Sequence, residues 1–409
     1  MNQDHDVIIA GGGLNGPALA LALAGAGLNV TVVDARPARA RAHADFDGRS
    51  YALALASQRL MSMLGLWPQL AAHAQPMQAI RTSDGVPPAG QVPFFLGFEQ
   101  GELDEGPMGF MIEDRHLYAA FLSAMEQAAP RIRLISATSV VDQQVTPEGV
   151  RVTLSDGRLL QARLLVGCDG RASPTAERAG IRRVGWGYGQ TALVNALQLE
   201  GDHGGIAHQI FLPTGPLAIL PLREGRVSIV WSETDANARA IADLGDEDYL
   251  DLLMARIGHV TGPASLAGSR FSYPLSLTLA ESYVRPRLAL VGDAAHGVHP
   301  IAGQGLNLGL RDVAALAEVL VDAARRGQDI GAIDVLEDYQ RWRRFDATAL
   351  ALGMDGVNRV FSTANPLMRA VRGIGMRAIG ALDAPRRRFI REAAGLSGDL
   401  PRLLAGRPL

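Results

Sequence analysis

Residues 6–16 of the 409-residue chain read DVIIAGGGLNG, an apolar run that passes directly into a glycine-rich turn. The apolar run predicts a buried parallel strand, and Gly11, Gly13 and Gly16 have the spacing G-x-G-x-x-G. In a dinucleotide-binding fold these glycines permit a tight turn, a close approach of backbone to a pyrophosphate, and packing of the next helix on the strand. Leu14 and Asn15 lie within the turn and are predicted cofactor contacts.

An alanine- and leucine-rich helix is predicted from near Gly16, followed by a second strand over residues 29–34 that ends in Asp34. An acidic residue at the end of this strand accepts hydrogen bonds from the ribose hydroxyls of an ADP moiety. This context disfavours the alternative of a glycine-rich turn without a ligand. It does not distinguish NAD from FAD.

Two further segments favour FAD. RLALVGD (287–293) predicts a strand ending in Gly292 and Asp293, where glycine allows close passage and the carboxylate accepts from a ribityl hydroxyl. The alternative for Asp293 alone is an ordinary helix cap. A helix from near Gly305 is predicted to direct its positive end at the pyrimidine edge of a flavin. Cofactor contacts are also predicted at the start of this helix and in the loop before it, at Pro300, Gly303, Gly305, Leu306 and Asn307.

The third segment, Asp169-Gly170, follows the predicted strand LLVG, and with it the chain resembles a known family. GYGQTA (187–192), the stretch 203–221 and HPIAGQGLNLGLRD (299–312) are similar to the ubiquinone-biosynthesis FAD-dependent hydroxylases, which are class A flavoprotein aromatic monooxygenases. The resemblance covers essentially the whole chain. It implies that Asp169 and Gly170 contact FAD, and that Arg49 and Arg115 lie near its pyrophosphate and ribityl chain. The alternative for each arginine is a solvated surface residue.

The resemblance also implies the reaction. NAD(P)H or another electron donor reduces FAD, O₂ reacts at flavin C4a, and the resulting hydroperoxide hydroxylates a polyprenylated phenol. Because no second dinucleotide fingerprint is present, a nicotinamide is expected to bind transiently over the flavin. Two alternatives stay open: a hydroxylase of a soluble aromatic compound, and a non-catalytic flavin-binding scaffold of a quinone-biosynthesis complex.

The resemblance implies a p-hydroxybenzoate hydroxylase-like α/β fold, with a Rossmann-like FAD-binding domain, an inserted antiparallel β-sheet domain and a C-terminal helical region. The FAD-binding domain is expected over 1–78, 108–184 and 274–333, the substrate-binding sheet over 79–107 and 185–273, and the helical region over 334–409. The segment 185–273 alternates apolar strands with Gly/Pro turns, which predicts a mostly antiparallel sheet.

Composition excludes several other classes. The net charge of −3 argues against nucleic acid as a partner. The single cysteine, Cys168, excludes an intrachain disulfide and is interpreted as a small buried residue. The N-terminus lacks the layout of a secretion signal, and no run of about 20 apolar residues is present, so a cytoplasmic protein is expected. Arginines interleaved with apolar residues over 365–395 indicate either contact with the inner face of a membrane or another biosynthetic protein, or a solvated helix face.

No catalytic acid or base is assigned from the sequence. The candidates are Tyr188, His208, His296 and His299, and for each the alternative is a positioning or core residue. A metal is rejected, because flavin hydroxylation needs none and no carboxylate or thiol near the histidines completes a ligand set. The oligomeric state and the hydroxylated ring carbon are not assigned.

Overall fold

A computed structural model describes residues 5–40, 45–85, 94–299, 303–361 and 383–409. The strands, in chain order, are β1 (His5–Ala10), β2 (Val30–Asp34), β3 (Ser50–Ala54), β4 (Gln75–Pro76), β5 (Ala79–Asp84), β6 (Phe94–Glu99), β7 (Gly109–Glu113), β8 (Ile132–Ser136), β9 (Val140–Thr146), β10 (Gly149–Leu154), β11 (Leu159–Gly167), β12 (Arg183–Leu199), β13 (Ile206–Leu212), β14 (Gly215–Pro221), β15 (Arg226–Thr234), β16 (Ala264–Ala280), β17 (Val284–Arg285), β18 (Leu288–Leu290) and β19 (His296–Gly297).

The helices, in chain order, are α1 (Asn15–Gly25), α2 (Leu55–Met63), α3 (Trp67–Leu70), α4 (Asp114–Gln127), α5 (Pro174–Arg178), α6 (Asp235–Ala242), α7 (Asp246–Thr261), α8 (Gln304–Arg325), α9 (Ile333–Phe361) and α10 (Asp383–Ala393). Among the described residues, none of these helices is both long and apolar enough to cross a bilayer.

The first sheet is the Rossmann-like part of the fold. Its strand order is β17-β18-β11-β1-β2-β8, and β1 pairs in parallel with both β2 and β11. The core-facing residues of β1 and α1 are almost fully buried, as the continuous apolar run in the sequence predicts. Helix α8 packs on α1, so the beginnings of the two helices lie on the same side of the sheet.

The second sheet has the order β19-β16-β12-β15-β14-β13-β5-β6 and is antiparallel except where β13 pairs with β5. Its two longest strands, β12 and β16, run past the expected domain boundaries at 185 and 273. Strand β19 pairs with β16, which attaches the residues following Gly292 and Asp293 directly to this sheet. A small third sheet, in the order β3-β7-β4, completes the fold.

The two faces of the second sheet pack against different parts of the molecule. On β12, Leu193 and Leu197 face α7 and pack with Leu253. Ala192 and Val194 point to the opposite face, where Tyr188 also contacts the core of the first sheet. Because side chains alternate along a strand, this face is the one turned toward the Rossmann-like part.

Two expectations are wrong in detail. The segment 185–273, read only as strands, also contains α6 and α7. Their local signals are the Thr234 hydroxyl, which accepts from the Asn237 N–H, and three acidic residues in the first turn of α7. Residues 394–409, expected to be helical, form turns instead.

Candidate cofactor and substrate site

The glycine turn lies between the ends of β1 and β11. Gly11 has φ +112°, and a side chain there would collide with the backbone carbonyl of Cys168. Its N–H donates to the carbonyl of Val33 at 2.8 Å. A Cβ on Gly16 would collide with the carbonyl oxygen of Gly11. The turn therefore has room only for backbone, and it leads into the N-terminus of α1, whose free N–H groups favour phosphate.

Asp34 lies against this turn. A Cβ on Gly12 would collide with its Oδ2, and its Oδ1 accepts from the N–H of Arg36 at 2.7 Å. The carboxylate thus has one oxygen fixed by its own loop and the other beside the glycines. This is the placement that a contact with the ribose of an ADP moiety requires.

Asn15 joins the glycine turn to the Gly292-Asp293 segment and to α8. A Cβ on either Gly292 or Gly309 would collide with its side-chain amide, so the amide lies between these two glycines. The Oδ1 of Asn15 is buried and accepts no hydrogen bond from the described residues. The two residues before Asn15 in the turn differ in exposure: Gly13 is half-buried, whereas the side chain of Leu14 packs in the core. The Leu14 side chain is therefore not available to a ligand, and the predicted contact at this residue would have to use backbone atoms.

The Asp169-Gly170 segment reaches the glycine turn through Cys168. Asp169 accepts from the Ser173 hydroxyl at 2.6 Å and from the Thr175 N–H at 2.9 Å, while Gly170 has φ +79°. Both carboxylate oxygens of Asp169 are therefore used within their own loop. Its side chain shapes the loop at the start of α5, a role that the motif alone did not reveal.

Arg171 links the Asp169-Gly170 segment to the Gly292-Asp293 segment. Its Nε donates to Oδ2 of Asp293 at 3.3 Å, and its other nitrogens donate to the carbonyls of Ser276 at 3.1 Å and Val298 at 2.7 Å. The sequence analysis assigned no role to Arg171. Its position directly after Gly170 was the only available signal.

The start of α8 is tied to the third sheet. Gly303 has φ +62° and precedes α8, with Gly305 and Leu306 in its first turn. The Asn307 side chain accepts from the Ala54 N–H at 2.8 Å and the Ser57 hydroxyl at 2.7 Å, and donates to the carbonyls of Ala52 at 2.9 Å and Gly303 at 3.1 Å. Because these four bonds use the whole amide, Asn307 can offer a cofactor only its backbone. Pro300 lies outside the described residues.

Arg49 and Arg115 are held by carboxylates. Arg49 donates to Asp47 at 2.6 Å and lies 3.5 Å from Asp114, and Arg115 donates to Glu113 at 2.7 Å. The hydrogen bond that Arg49 donates to Asp47 raises the pKa of Arg49 despite partial burial. In this arrangement both guanidinium groups have their charge neutralised within the β3–β7 region. A contact with FAD stays a prediction for both.

His296 belongs to a buried network centred on Asp312. Asp312 is fully buried and accepts from the Gly292 N–H at 3.0 Å, from His296 Nε2 at 2.5 Å and from Arg343 Nε at 2.9 Å. Burial opposes ionisation of Asp312, but the charges of His296 and Arg343 hold its pKa below the ordinary value. The carboxylate partner of His296 is thus sixteen residues away in sequence, a contact that the sequence did not predict.

His208 lies on the α7 face of the second sheet. It borders a cavity of about 720 Å³, which is also lined by His203, His259 and Arg81. Burial, with the nearby positive charge of Arg81, lowers the pKa of His208 to about 4. Since this cavity is lined by none of the three predicted cofactor segments, His208 is separated from them by the sheet.

His299 and Tyr188 meet on the opposite face. Their ring centroids are 5.1 Å apart in an edge-to-face arrangement. His299 is 1% exposed, and neither ring nitrogen has a hydrogen-bond partner among the described residues. Burial, aided by Arg171, lowers the pKa of His299 to about 4, so the ring is neutral at physiological pH. Burial and then the charge of Asp355 raise the pKa of Tyr188.

Asp355, on α9, contacts β12 beside Tyr188, and the sequence did not predict this contact. It accepts from the indole N–H of Trp186 at 3.1 Å and from Arg359 at 2.8 Å. Three residues along α9, Asn358 donates to the Gln190 side chain at 3.1 Å. The signal for these contacts is long-range, because α9 and β12 are distant in sequence.

Two features bear on other chemistries. Burial raises the pKa of Cys168, which makes a thiolate nucleophile unfavourable there. Within the described ranges, no group of three or more His, Cys, Asp or Glu side chains is arranged to hold a metal ion.

The residues present fit a dinucleotide. The glycine turn is a cradle that a Cβ at Gly11 or Gly16 would fill, and the Oδ1 of Asn15, at the end of this turn, is buried without a hydrogen-bond partner in the part of the chain that the structure describes. Asp34 and Asp293 supply carboxylates at two separate points of the junction. An extended cofactor with hydroxyl groups on both sides of a pyrophosphate matches this donor and acceptor set.

Comparisons with known proteins agree with this reading. The model of the family described as "FAD binding domain" matches residues 4–351. A ubiquinone hydroxylase, UbiL, from Rhodospirillum rubrum is 43% identical over 407 residues, covering 99% of this chain and 93% of that protein. The 3-demethoxyubiquinol 3-hydroxylase of Escherichia coli (strain K12) is 35% identical, covering 97% of this chain and 100% of that protein.

Among solved structures, a p-nitrophenol 4-monooxygenase from Pseudomonas putida superposes with a TM-score of 0.80. The alignment covers 97% of this chain and 99% of that chain at 19% identity. At this identity the likeness concerns the fold, and it confirms the α/β architecture expected from the sequence.

Proposed function

This chain belongs to the FAD binding domain family, and we propose that it is an FAD-dependent monooxygenase that hydroxylates the aromatic ring of a polyprenylated phenol in ubiquinone biosynthesis. The observation that carries the proposal is the meeting of three cofactor segments around Asn15 and Arg171. The two relatives are named as a ubiquinone hydroxylase and a demethoxyubiquinol hydroxylase, and for this reason we propose the same substrate class for this chain.

FAD is the cofactor, and bound FAD supplies the reaction with O₂ that transfers one oxygen atom to the ring. We assign its pyrophosphate to the glycine turn and the N-terminus of α1, and its adenosine ribose to Asp34. Asp293 would accept from a ribityl hydroxyl. The N-terminus of α8 would face the pyrimidine edge of the flavin, where its positive end stabilises negative charge on the reduced ring.

The second sheet holds the aromatic substrate in this proposal. Its face toward the Rossmann-like part carries Tyr188, and β19 fixes the chain leading to His299 against the same sheet. A phenol ring lying here would have aromatic and apolar neighbours and little access to water. Exclusion of water favours oxygen transfer to the ring over release of hydrogen peroxide.

The partners of the proposed reaction are the polyprenylphenol, O₂, and NAD(P)H or another electron donor. A polyprenyl chain is too insoluble to diffuse through water, so the substrate must come from a membrane or from another protein. We therefore propose peripheral contact with the inner face of a membrane, or with other ubiquinone-biosynthesis proteins.

A genetic complementation experiment tests the function. The gene is deleted in its host, and quinone precursors are identified by mass spectrometry. We expect a single prenylphenol to accumulate and to disappear when the wild-type gene is restored. Normal ubiquinone without any precursor in the deletion strain would contradict the proposal.

Two glycine variants link the phenotype to the cofactor turn. Gly16→Ala should fail to complement, because its Cβ collides with the Gly11 carbonyl. Gly25→Ala, at the other end of the same helix, has open space around its Cβ and should complement fully. Equal behaviour of the two variants would contradict the assignment of the turn.

A further inference from the structure

Among the histidines of the described residues, His299 is the one whose two ring nitrogens are both buried without a hydrogen-bond partner. His296 is bound to Asp312, and His203 uses Nε2 on the Leu222 carbonyl at 2.8 Å and Nδ1 on the Gly205 N–H at 3.0 Å. His208 borders the cavity on the far face of the sheet. His299 is buried with both ring nitrogens unpartnered among the described residues. Such burial is unfavourable unless a ligand completes the hydrogen bonds.

The position of His299 points to the reacting end of the cofactor. It lies six residues after Asp293 and four before Gly303, so it sits between the proposed ribityl contact and the start of α8. Its neighbour Val298 is fixed by the hydrogen bond from Arg171 at 2.7 Å. Tyr188, on the substrate face of the second sheet, packs edge-to-face on its ring. A substrate held between the flavin and this sheet would therefore meet His299.

From this placement we infer that His299 is a catalytic residue that accepts the phenolic proton of the substrate; the inference rests on the proposed function. The phenol O–H bond breaks and an N–H bond forms on the imidazole. The electron pair left on oxygen moves into the ring and activates its ortho and para carbons. Once the terminal OH has been transferred to the ring, the carbon-bound proton of the ring passes to the oxygen atom left on the cofactor, and the imidazolium returns its proton to the phenolic oxygen.

The surroundings suit this exchange. The charged groups that face His299 are Arg171 and Asp355. Tyr188 packs on the imidazole ring and also interacts with Asp355. Burial keeps the imidazole neutral and therefore able to accept a proton. Although a resting phenol is a much weaker acid than imidazolium, its hydroxyl becomes strongly acidic as oxygen transfer withdraws electrons from the ring. Proton transfer is then favourable in the transition state, where general-base catalysis acts.

The test uses FAD-loaded enzyme with 2-geranylphenol as the probe, and compares hydroxylated product with hydrogen peroxide formed. His299→Ala should retain FAD, lose about 100- to 1,000-fold in kcat for hydroxylation, and divert turnover to hydrogen peroxide. Raising the pH should rescue its kcat/KM about tenfold per unit as the probe itself ionises, while the wild-type profile stays flat over that range. His208→Ala is the matched control, since it removes a half-buried histidine from the opposite face of the same sheet, and it should keep the wild-type ratio of hydroxylated product to hydrogen peroxide.

The outcomes separate the two proposals. If the wild-type enzyme hydroxylates the probe and His299→Ala is equally active, the inference about His299 is overturned and the proposed function stands. Loss of activity without rescue at high pH also overturns it, because that result indicates a structural role. Should His299→Ala fail to load FAD, the same pH profile is measured on His299→Gln, which keeps a polar side chain but cannot take up the proton. A wild-type enzyme that hydroxylates no prenylphenol overturns both.

Discussion

Removing the Asp312 carboxylate tests whether the buried network supports the cofactor segment. Asp312 holds the Gly292 N–H, His296 and Arg343 at once, and it is completely buried. In Asp312→Ala all three donors lose their acceptor. Arg343 is affected most, because its side chain is 1% exposed and its other carboxylate contact, Asp346, is 3.4 Å away.

The expected magnitude follows from this geometry. Breaking a buried ion pair by removing one partner costs about 3–5 kcal/mol, chiefly because the remaining charge is left buried and unpaired. Asp312→Asn retains an oxygen for part of the network and should cost less, about 1.5–3 kcal/mol. The double variant Asp312→Leu/Arg343→Leu removes both charges. It should lower the free energy of unfolding by less than the sum of the two single changes, because no unpaired charge remains.

Urea unfolding followed by circular dichroism measures these free energies, and titration with FAD measures affinity in parallel. In Asp312→Ala the free energy of unfolding should fall, and the affinity for FAD should fall as well, since Gly292 is part of the proposed cofactor contact. Asp156→Ala removes one partner of the solvent-exposed pair with Arg158 and should leave both quantities unchanged. An Asp312→Ala protein as stable as the wild type, or a cycle without coupling between Asp312 and Arg343, would refute the reasoning.

Three further predictions concern pH and cofactor affinity. The pKa of His299 is lowered to about 4, so between about pH 6.5 and pH 4 the unfolded chain binds a proton that the native chain does not. The free energy of unfolding should therefore fall as pH is lowered through that window, by about 3 kcal/mol for this group, and His299→Gln should remove that part of the slope in pH-dependent urea unfolding. Gly16→Ala should abolish flavin uptake in spectroscopic titration, while Gly25→Ala binds FAD normally. Arg171→Ala should weaken FAD binding by less than about tenfold, since the partly exposed pair with Asp293 contributes up to about 1 kcal/mol. A larger loss of FAD affinity in a variant whose free energy of unfolding is unchanged would mean that Arg171 touches the cofactor.

The parts of the fold set by local sequence pattern were predictable. The apolar run before Gly11 and the glycine spacing predict a strand, a turn and a helix, and the structure has them as β1 and α1. The position of Asp34 follows from the same βαβ geometry. The helices α6 and α7 were missed because they lie within a segment dominated by strands, and their capping signals were not weighed.

The side-chain roles were less predictable because they depend on contacts between distant residues. Asp169 and Asn307 belong to recognisable motifs, yet their side chains are bonded to their own surroundings. Asp312, sixteen residues from His296, fixes that histidine, and no spacing rule predicts such a bond. The four acid–base candidates could be separated only once the sheet had assigned each to a face.

A single-turnover experiment under ¹⁸O₂ tests the central claim most directly. Bound FAD is reduced photochemically without oxygen, which removes any dependence on the electron donor, and ¹⁸O₂ is then admitted with 2-geranylphenol. The account predicts a hydroxylated product that carries one ¹⁸O atom and forms in proportion to the reduced flavin. Reoxidation of the flavin with hydrogen peroxide and unchanged probe as the products would contradict it.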